Sequence, residues 1–205
     1  MNEPLVASLA GVARLLSGIT IRWVGCRPDT RQRVYFGNHT SHLDSLVLWS
    51  ALPPEVRALA RPVAAKDYWG TGKLHRRLVT WLFQAVLIER HCADAAERHR
   101  QSELLLEAMG ERYSLIVFPE GTRGRGPEIA PFKSGLYHLS LKKPGLELVP
   151  VHLENLNRIL PKGEFLPVPL LSSITFGHPI RVLDGEPKDV FLERAREAVR
   201  SLKAA

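Results

Sequence analysis

Short apolar runs alternate along this chain with longer stretches whose apolar residues recur at helical spacing. The clearest buried strands are residues 34–36 and 114–118, because both are dominated by branched and aromatic side chains. Shorter runs predict strands at residues 19–24, 63–65, 86–88, 146–151 and 173–176. Helical patterns occupy residues 5–19, 42–52, 94–110, 132–141 and 191–202. This alternation predicts one α/β sheet, mostly parallel or mixed, covered by helices on both faces.

No repeat, low-complexity tract or linker interrupts the pattern, so we expect a single domain over residues 1–205. Residues 1–24 would form an amphipathic helix and the first strand. The apolar stripe of that helix consists of Leu5, Leu9, Val12, Leu16 and Ile19. Arginines interrupt the run and the chain opens with Met-Asn-Glu, so we expect neither a spanning helix nor a signal peptide. The stripe suits core packing or a membrane surface, and the pattern leaves both open.

A polar turn follows the strand at residues 34–36. Ser41 and Asp44 stand three residues apart just before an apolar run, which is the signature of a capping box at a helix start. His39 then lies in the turn, where the chain can fold its imidazole back onto the Asp44 carboxylate. A carboxylate on one ring nitrogen fixes the tautomer and leaves the other nitrogen free to accept a proton. This pattern predicts a general base.

A simpler interpretation of the same turn stands beside this one. Asp44 could act only as the capping acid, and His39 only as a turn residue bonded to backbone. These residues alone do not decide between the two interpretations.

A second polar stretch, residues 120–126, follows the other clear strand. Ligands of open α/β sheets bind at the carboxyl ends of the strands, so this stretch and the histidine turn are expected to face one crevice. Its glycines permit close backbone approach, and Arg123 and Arg125 can grip phosphate oxygens in a planar fork. A solvated basic turn is the alternative. The spacing is not that of a Walker loop.

Together these stretches carry a family resemblance. Asn38-His39-x-Ser41-x-x-Asp44 and Phe118-Pro119-Glu120-Gly121-Thr122-Arg123 resemble the first and third signature blocks of the glycerolipid acyltransferases. Residues 85–90 resemble the second block and residues 149–151 the fourth, so the motif core covers roughly residues 33–152. The second block departs from the family pattern, with Glu89 where Asp is usual and Gln84 where Gly is usual.

The resemblance implies a fold like that of glycerol-3-phosphate acyltransferase and a role for each matching residue. His39 would be the general base that removes the acceptor's hydroxyl proton, and Asp44 would orient it. The acceptor's glycerol phosphate would be held by Lys66, Arg90, Glu120, Gly121, Thr122 and Arg123. The implied reaction belongs to phospholipid biosynthesis. It moves an acyl group from acyl-CoA or acyl carrier protein to lysophosphatidic acid and gives phosphatidic acid. Another lysophospholipid or a lyso-aminolipid is the alternative acceptor. The thioester is a co-substrate, and we expect no resident cofactor.

The net charge narrows the classes of binding partner, and the cysteine content narrows the cellular compartment. A formal charge of +7 implies an acidic partner, and nucleic acid, an anionic membrane and a phosphorylated substrate all qualify. No nucleic-acid-binding pattern is present, so we expect an anionic membrane surface and no nucleic acid. Cys26 and Cys92 form neither a metal spacing nor a disulfide framework. We expect a cytoplasmic protein, peripheral on the inner face of the cell membrane.

Two further patterns in the sequence each allow two interpretations. His39, His42 and Asp44 are close in sequence, but His-x-x-His alone is a weak metal signal, and a metal hydrolase is the less favoured hypothesis. Residues 66–83 interleave aromatic and basic side chains. That pattern fits either a packed helix with a basic outer face or an element at the level of the lipid headgroups.

Overall fold

The computed structural model describes residues 3–66, 83–89, 94–124, 128–156 and 172–204. The strands in these ranges are β1 (Ile19–Trp23), β2 (Arg33–Gly37), β3 (Ala60–Ala65), β4 (Val86–Ile88), β5 (Ser114–Val117), β6 (Glu147–Glu154) and β7 (Ser172–Phe176). They form one sheet in the order β1-β7-β6-β2-β5-β3-β4. Neighbouring strands are parallel except β6 and β7, which are antiparallel. The predicted mixed α/β sheet is confirmed.

Helices cover both faces of this sheet. They are α1 (Glu3–Ser17), α2 (Asp44–Ala51), α3 (Pro54–Arg57), α4 (Ala95–Met109), α5 (Gly135–Lys142) and α6 (Lys188–Ser201), followed by a 3-10 turn at Leu202–Ala204. Side chains of β2 alternate between two cores. Tyr35 belongs to the core under α1 and α2, and Val34 and Phe36 to the core under α4, α5 and α6. Burial on both faces explains the unbroken apolar run.

Residues outside the predicted apolar stripe form much of the packed face of the helix α1. Its buried residues are Val6, Ala10, Ala13 and Ser17. Val12, from the predicted apolar stripe, is 52% exposed, and Leu15 is 81% exposed. Small side chains permit close approach to α2, where the Arg14 side chain also donates to the carbonyls of Ser50 and Leu52. Val12 of the stripe therefore does not pack in the core, and contact with a membrane surface, the other interpretation of the stripe, stays a prediction. Within the described ranges no helix is long and apolar enough to cross a bilayer.

The first residues of α4 and α5 can be compared with the helical patterns in the sequence. Asp94 caps α4, accepting from the backbone N–H of Glu97 at 2.7 Å. The pattern over residues 132–141 begins to form helix only at Gly135, so Phe132 and Lys133 lie in the preceding loop. The later start of the helix matters for the candidate site, because it leaves the Lys133 side chain beside Gly121.

Candidate active site

The parallel pairing of β2 with β5 brings the two polar stretches together. Phe36 pairs with Val117 in the sheet register, so His39 and Glu120, each three residues further along, emerge side by side. The backbone N–H of His39 donates to Glu120 Oε1 at 2.7 Å, and the N–H of Gly124 donates to the His39 carbonyl at 2.8 Å. The expected juxtaposition at the carboxyl ends of the strands is confirmed.

His39 and Asp44 form the predicted pair. His39 Nδ1 and Asp44 Oδ2 lie 2.9 Å apart, and the Asp44 side chain is fully buried. The same oxygen accepts the backbone N–H groups of Thr40 at 2.6 Å and Ser41 at 2.8 Å, which fixes its position. With the carboxylate on Nδ1, the imidazole carries its proton there and offers Nε2 as a proton acceptor. This geometry suits a general base.

The capping box forms only in part. Asp44 reaches back to the Ser41 N–H, but the Ser41 hydroxyl accepts from Leu43 at 3.3 Å. The helix begins at Asp44, behind a Leu43 cap that has no side-chain bond. The predicted start just after Ser41 is therefore wrong, because the turn curls around the carboxylate before the helix begins. Asp44 thus satisfies the turn and holds His39 at the same time.

Two neighbours hold the imidazole and its turn in place. The ring of Phe118 stacks on His39 with centroids 4.5 Å apart and planes 22° from parallel. The buried Asn38 amide donates to the Leu153 carbonyl at 2.9 Å and accepts the Leu153 N–H at 2.8 Å. These contacts tie the turn to β5 and β6, so the sheet itself positions the His39 imidazole.

Glu120 joins loops rather than facing open space. Its side chain is buried, with Oε1 accepting from His39 and Oε2 from the backbone N–H of Ala130 at 2.9 Å. Burial raises the pKa of this carboxyl, and the two backbone donors oppose that shift. Because both oxygens already serve the backbone, Glu120 is placed to fix the loop that carries Gly121 and Arg123. Its predicted contact with the acceptor has no support in this position.

Arg123 and Gly121 face the site. The guanidinium of Arg123 contacts His42 Nε2, although 81 residues separate the two positions. Burial, and then the charges of Arg123 and His39, lower the pKa of His42, so its neutral form accepts the contact. Gly121 has a φ of +71°, a left-handed conformation that favours glycine. Thr122 is exposed and lies outside the cavity described next.

A cavity of about 820 Å³ lies at this edge of the sheet, within the range of small-molecule sites. Its polar lining includes His39, His42, Gly121, Arg123 and Lys133. Its apolar lining comes from β3, β4, α4 and α5 and includes Val63, Ala65, Ile88, Leu105, Leu136 and Leu139. The distance from β2 to β4 is three strand steps, or roughly 14 Å. The His39 imidazole therefore lies beside a long apolar part of the cavity.

Of the remaining predicted residues, Lys66 lies in the described part of the chain and is not among the residues that line the cavity. Lys66 is exposed at the end of β3, where its ammonium pairs with Glu89 Oε1 at 3.0 Å. Arg90 lies outside the described residues, as do Arg125 and most of the segment 66–83. Gln84 has a φ of +49°, which explains why glycine is usual at that position of the second block. The unusual Glu89 thus has a partner, and Gln84 adopts a conformation suited to glycine.

Sequence reasoning missed Lys133, because a helical pattern included it. It also gave Phe118 no role of its own. The signal available in the sequence was Lys133 itself, a basic residue that follows the glycine-rich stretch 120–126. In the part of the chain that the structure describes, no group of three His, Cys, Asp or Glu side chains is arranged to hold a metal ion.

Several curated proteins are similar to this chain. They include the 1-acyl-sn-glycerol-3-phosphate acyltransferase of Limnanthes douglasii, 28% identical over 185 residues. The alpha form from Mus musculus is 28% identical over 166 residues, and the protein of the same name from Escherichia coli K12 is 27% identical over 154. These alignments cover 86%, 80% and 66% of this chain but 60%, 55% and 57% of the relatives. The chain thus spans little more than half their length.

A solved structure shows which fold this chain resembles, and a family model shows which family it belongs to. The crystal structure of the 1-acyl-sn-glycerophosphate acyltransferase from Thermotoga maritima matches with a TM-score of 0.71 and 18% identity, over 98% of this chain and 78% of that one. At that identity the likeness shows the fold. The family model described as Acyltransferase matches residues 23–154, well over half of the sequence. The chain therefore belongs to the acyltransferase family.

Proposed function

We propose that this chain transfers an acyl group from an acyl thioester to the free hydroxyl of lysophosphatidic acid, giving phosphatidic acid. The observation that carries the proposal is the His39–Asp44 pair, set beside Arg123 at the polar end of a largely apolar cavity. The relatives named as 1-acyl-sn-glycerol-3-phosphate acyltransferases support the choice of acceptor.

The chemistry follows from the geometry of this pair. His39 Nε2 takes the proton of the acceptor hydroxyl as its oxygen attacks the thioester carbonyl. The tetrahedral intermediate then collapses, the carbon–sulfur bond breaks, and the departing thiolate takes the proton back from His39. Buried Asp44 stabilises the imidazolium between these steps. Direct transfer of this kind needs no covalent acyl-enzyme.

The two ends of the cavity suit the two parts of the substrates. Arg123 can bind phosphate oxygens in a planar fork, and the left-handed Gly121 lets the backbone approach closely. The apolar walls suit a fatty acyl chain, because burial of apolar surface stabilises it by about 0.8 kcal/mol per CH₂ group. The donor is acyl-CoA or acyl carrier protein. Both present the same thioester to the base.

We further propose that the protein works on the surface of an anionic membrane, from the cytoplasmic side. The support is the pair of exposed apolar side chains on α1, Val12 and Leu15, on a chain with a formal charge of +7. Nucleic acid has no part in the proposal.

The test is an acylation assay with a panel of acceptors. Purified protein is incubated with acyl-CoA or acyl carrier protein and with lysophosphatidic acid, other lysophospholipids or a lyso-aminolipid, with and without chelator. Mass spectrometry then identifies the products. We expect phosphatidic acid to dominate and chelator to have no effect. Faster acylation of a different lysolipid would replace the acceptor, and loss of turnover with chelator would replace the mechanism.

A further inference from the structure

The Lys133 side chain lies against Gly121, and both Lys133 and Arg123 line the same cavity. Its backbone N–H donates to the Pro119 carbonyl at 2.9 Å, which anchors the residue beside the loop. A Cβ placed on Gly121 would lie 2.6 Å from Lys133 Nζ and 2.7 Å from its Cε. The end of the lysine side chain therefore occupies a slot that exists only because position 121 has no side chain. Lys133 and Gly121 both line the cavity that His39 enters.

The charge environment of Lys133 differs from that of most other lysines in the described part of the chain. Lys66 pairs with Glu89, Lys142 with Glu103 and Lys143 with Glu111. Within the described ranges no carboxylate lies within 4.0 Å of the Lys133 ammonium, and the carboxylate of Glu120, next to Gly121 in the chain, is buried against backbone donors. A cation in the wall of a cavity, without an acidic side chain of its own, is suited to an anion that enters the cavity.

We propose that Lys133 binds the phosphate of the acceptor together with Arg123; this inference rests on the function proposed above. An ammonium supplies a compact charge with three donors, whereas a guanidinium supplies a planar fork. Two such cations complement the dianion of a phosphate monoester better than the single charge of a phosphodiester. Lys133 is therefore the residue that favours lysophosphatidic acid over lysolipids whose phosphate carries a second substituent.

Three variants test this role. Lys133→Met keeps the length of the side chain and removes its charge, Lys133→Arg keeps the charge, and Lys142→Met is the control on α5 outside the cavity. Each is assayed with lysophosphatidic acid, with a lysophosphodiester and with monoacylglycerol. For Lys133→Met we expect kcat/KM with lysophosphatidic acid to fall roughly ten- to a hundredfold, mainly through KM. The other two acceptors should change less than threefold or so, and Lys133→Arg should recover most of the loss. Equal losses with all three acceptors would overturn the proposal.

The donor also carries phosphates, and a second arm separates it from the acceptor. The assay is repeated with an acyl thioester of N-acetylcysteamine, which has no phosphate. If the loss in Lys133→Met disappears with this donor, the lysine binds coenzyme A and the proposal is wrong. If the loss persists, it belongs to the acceptor.

Binding without turnover separates this inference from the proposed function. Short-chain lysophosphatidic acid is titrated calorimetrically into each variant with no donor present. Wild-type binding without acylation would refute the function, and a weaker affinity in Lys133→Met would still support the lysine. Equal affinity in the wild type and Lys133→Met would overturn the inference, and so would a wild type that does not bind at all. Because the side chain is exposed, the thermal unfolding midpoint should stay unchanged.

Discussion

The backbone N–H of His39 lies 2.7 Å from Oε1 of Glu120, so a buried carboxylate joins the turn that carries His39 to the loop that carries Arg123. The other oxygen of Glu120 holds Ala130. This side chain thus links the two halves of the site, together with the bond from the Gly124 N–H to the His39 carbonyl.

Glu120→Gln should therefore damage the fold of the site before it affects any contact with substrate. An amide has one acceptor oxygen, so its NH₂ group would face one of the two backbone donors. We expect the free energy of unfolding to fall by about 1–3 kcal/mol, together with a loss of activity. Denaturant titration measures the first effect, with the exposed Glu128→Gln as control. An unchanged unfolding curve with weaker acceptor binding would instead support the direct contact that the resemblance implies.

His39→Ala should nearly abolish turnover without unfolding the protein. Loss of a general base costs typically 10²–10⁴ in rate, or about 3–5 kcal/mol of barrier. Asp44→Asn should also be severe, because an amide cannot stabilise the imidazolium. Initial rates under saturating substrate measure both, with the exposed His99→Ala on α4 as control. More than a tenth of the wild-type rate in His39→Ala would disprove this mechanism.

Arg123→Ala should act on the phosphorylated acceptor. A hydrogen bond to a charged group contributes ~1.5–3 kcal/mol, so we expect kcat/KM to fall roughly ten- to a hundredfold. Arg200→Ala, on the far helix α6 and paired with Glu197, is the matched control. The comparison is between lysophosphatidic acid and monoacylglycerol. The same loss with both acceptors would remove the phosphate role from Arg123.

The contact between His42 and Arg123 should make acceptor binding depend on pH. The pKa of His42 is lowered by burial and by the neighbouring Arg123 and His39, with Asp44 opposing this shift. Neutral His42 accepts from Arg123, and protonated His42 repels it. The contact is therefore fully present above the ordinary histidine pKa of about 6.5 and is lost as pH falls through the lowered value.

His42→Gln keeps an acceptor but cannot titrate in this range. We expect wild-type affinity for lysophosphatidic acid, measured without donor, to weaken at acidic pH more than that of His42→Gln. The absence of donor keeps the chemical role of His39 out of the measurement. Parallel pH profiles for the two proteins would show that His42 does not control Arg123.

The exposed apolar side chains of α1 should contribute to membrane binding. The double variant Val12→Ser, Leu15→Ser removes them, while Leu183→Ser, Val190→Ser removes exposed apolar residues elsewhere. Flotation with anionic vesicles should show weaker binding for the first variant and wild-type binding for the second. Salt should weaken binding without abolishing it, because basic residues contribute ~1 kcal/mol each and are screened. Failure of the wild type to float at low salt would refute the surface-bound state.

The strands could be predicted because they are buried on both faces, as in β2 and β5, where the apolar run itself is the signal. The face of α1 could not be predicted, because the packing partner decides it. Small residues such as Ala10 and Ala13 form the buried contact, and the larger Val12 is left outside. The hydrophobic periodicity of an isolated helix does not contain that choice.

The site was predictable where chemistry and spacing coincide, as in His39 and Asp44. Lys133 was not, because its role depends on a slot made by Gly121, twelve residues earlier in the chain. The family resemblance assigned Glu120 to the acceptor together with Gly121 and Arg123. Only three-dimensional contacts show both of its oxygens bound to backbone. Neighbouring residues of one motif can have different structural roles, and the linear sequence does not show which residue has which role.

The two hydrogen bonds between the Asn38 amide and the Leu153 backbone have a practical consequence. The amide proton of Leu153 is held by a side chain of the histidine turn, not by a neighbouring strand. Hydrogen–deuterium exchange at this one position therefore reports how often the turn lifts from β6. Ligands that steady the base should slow that exchange even when no product forms, so a single NMR resonance can follow preorganisation of the site separately from catalysis.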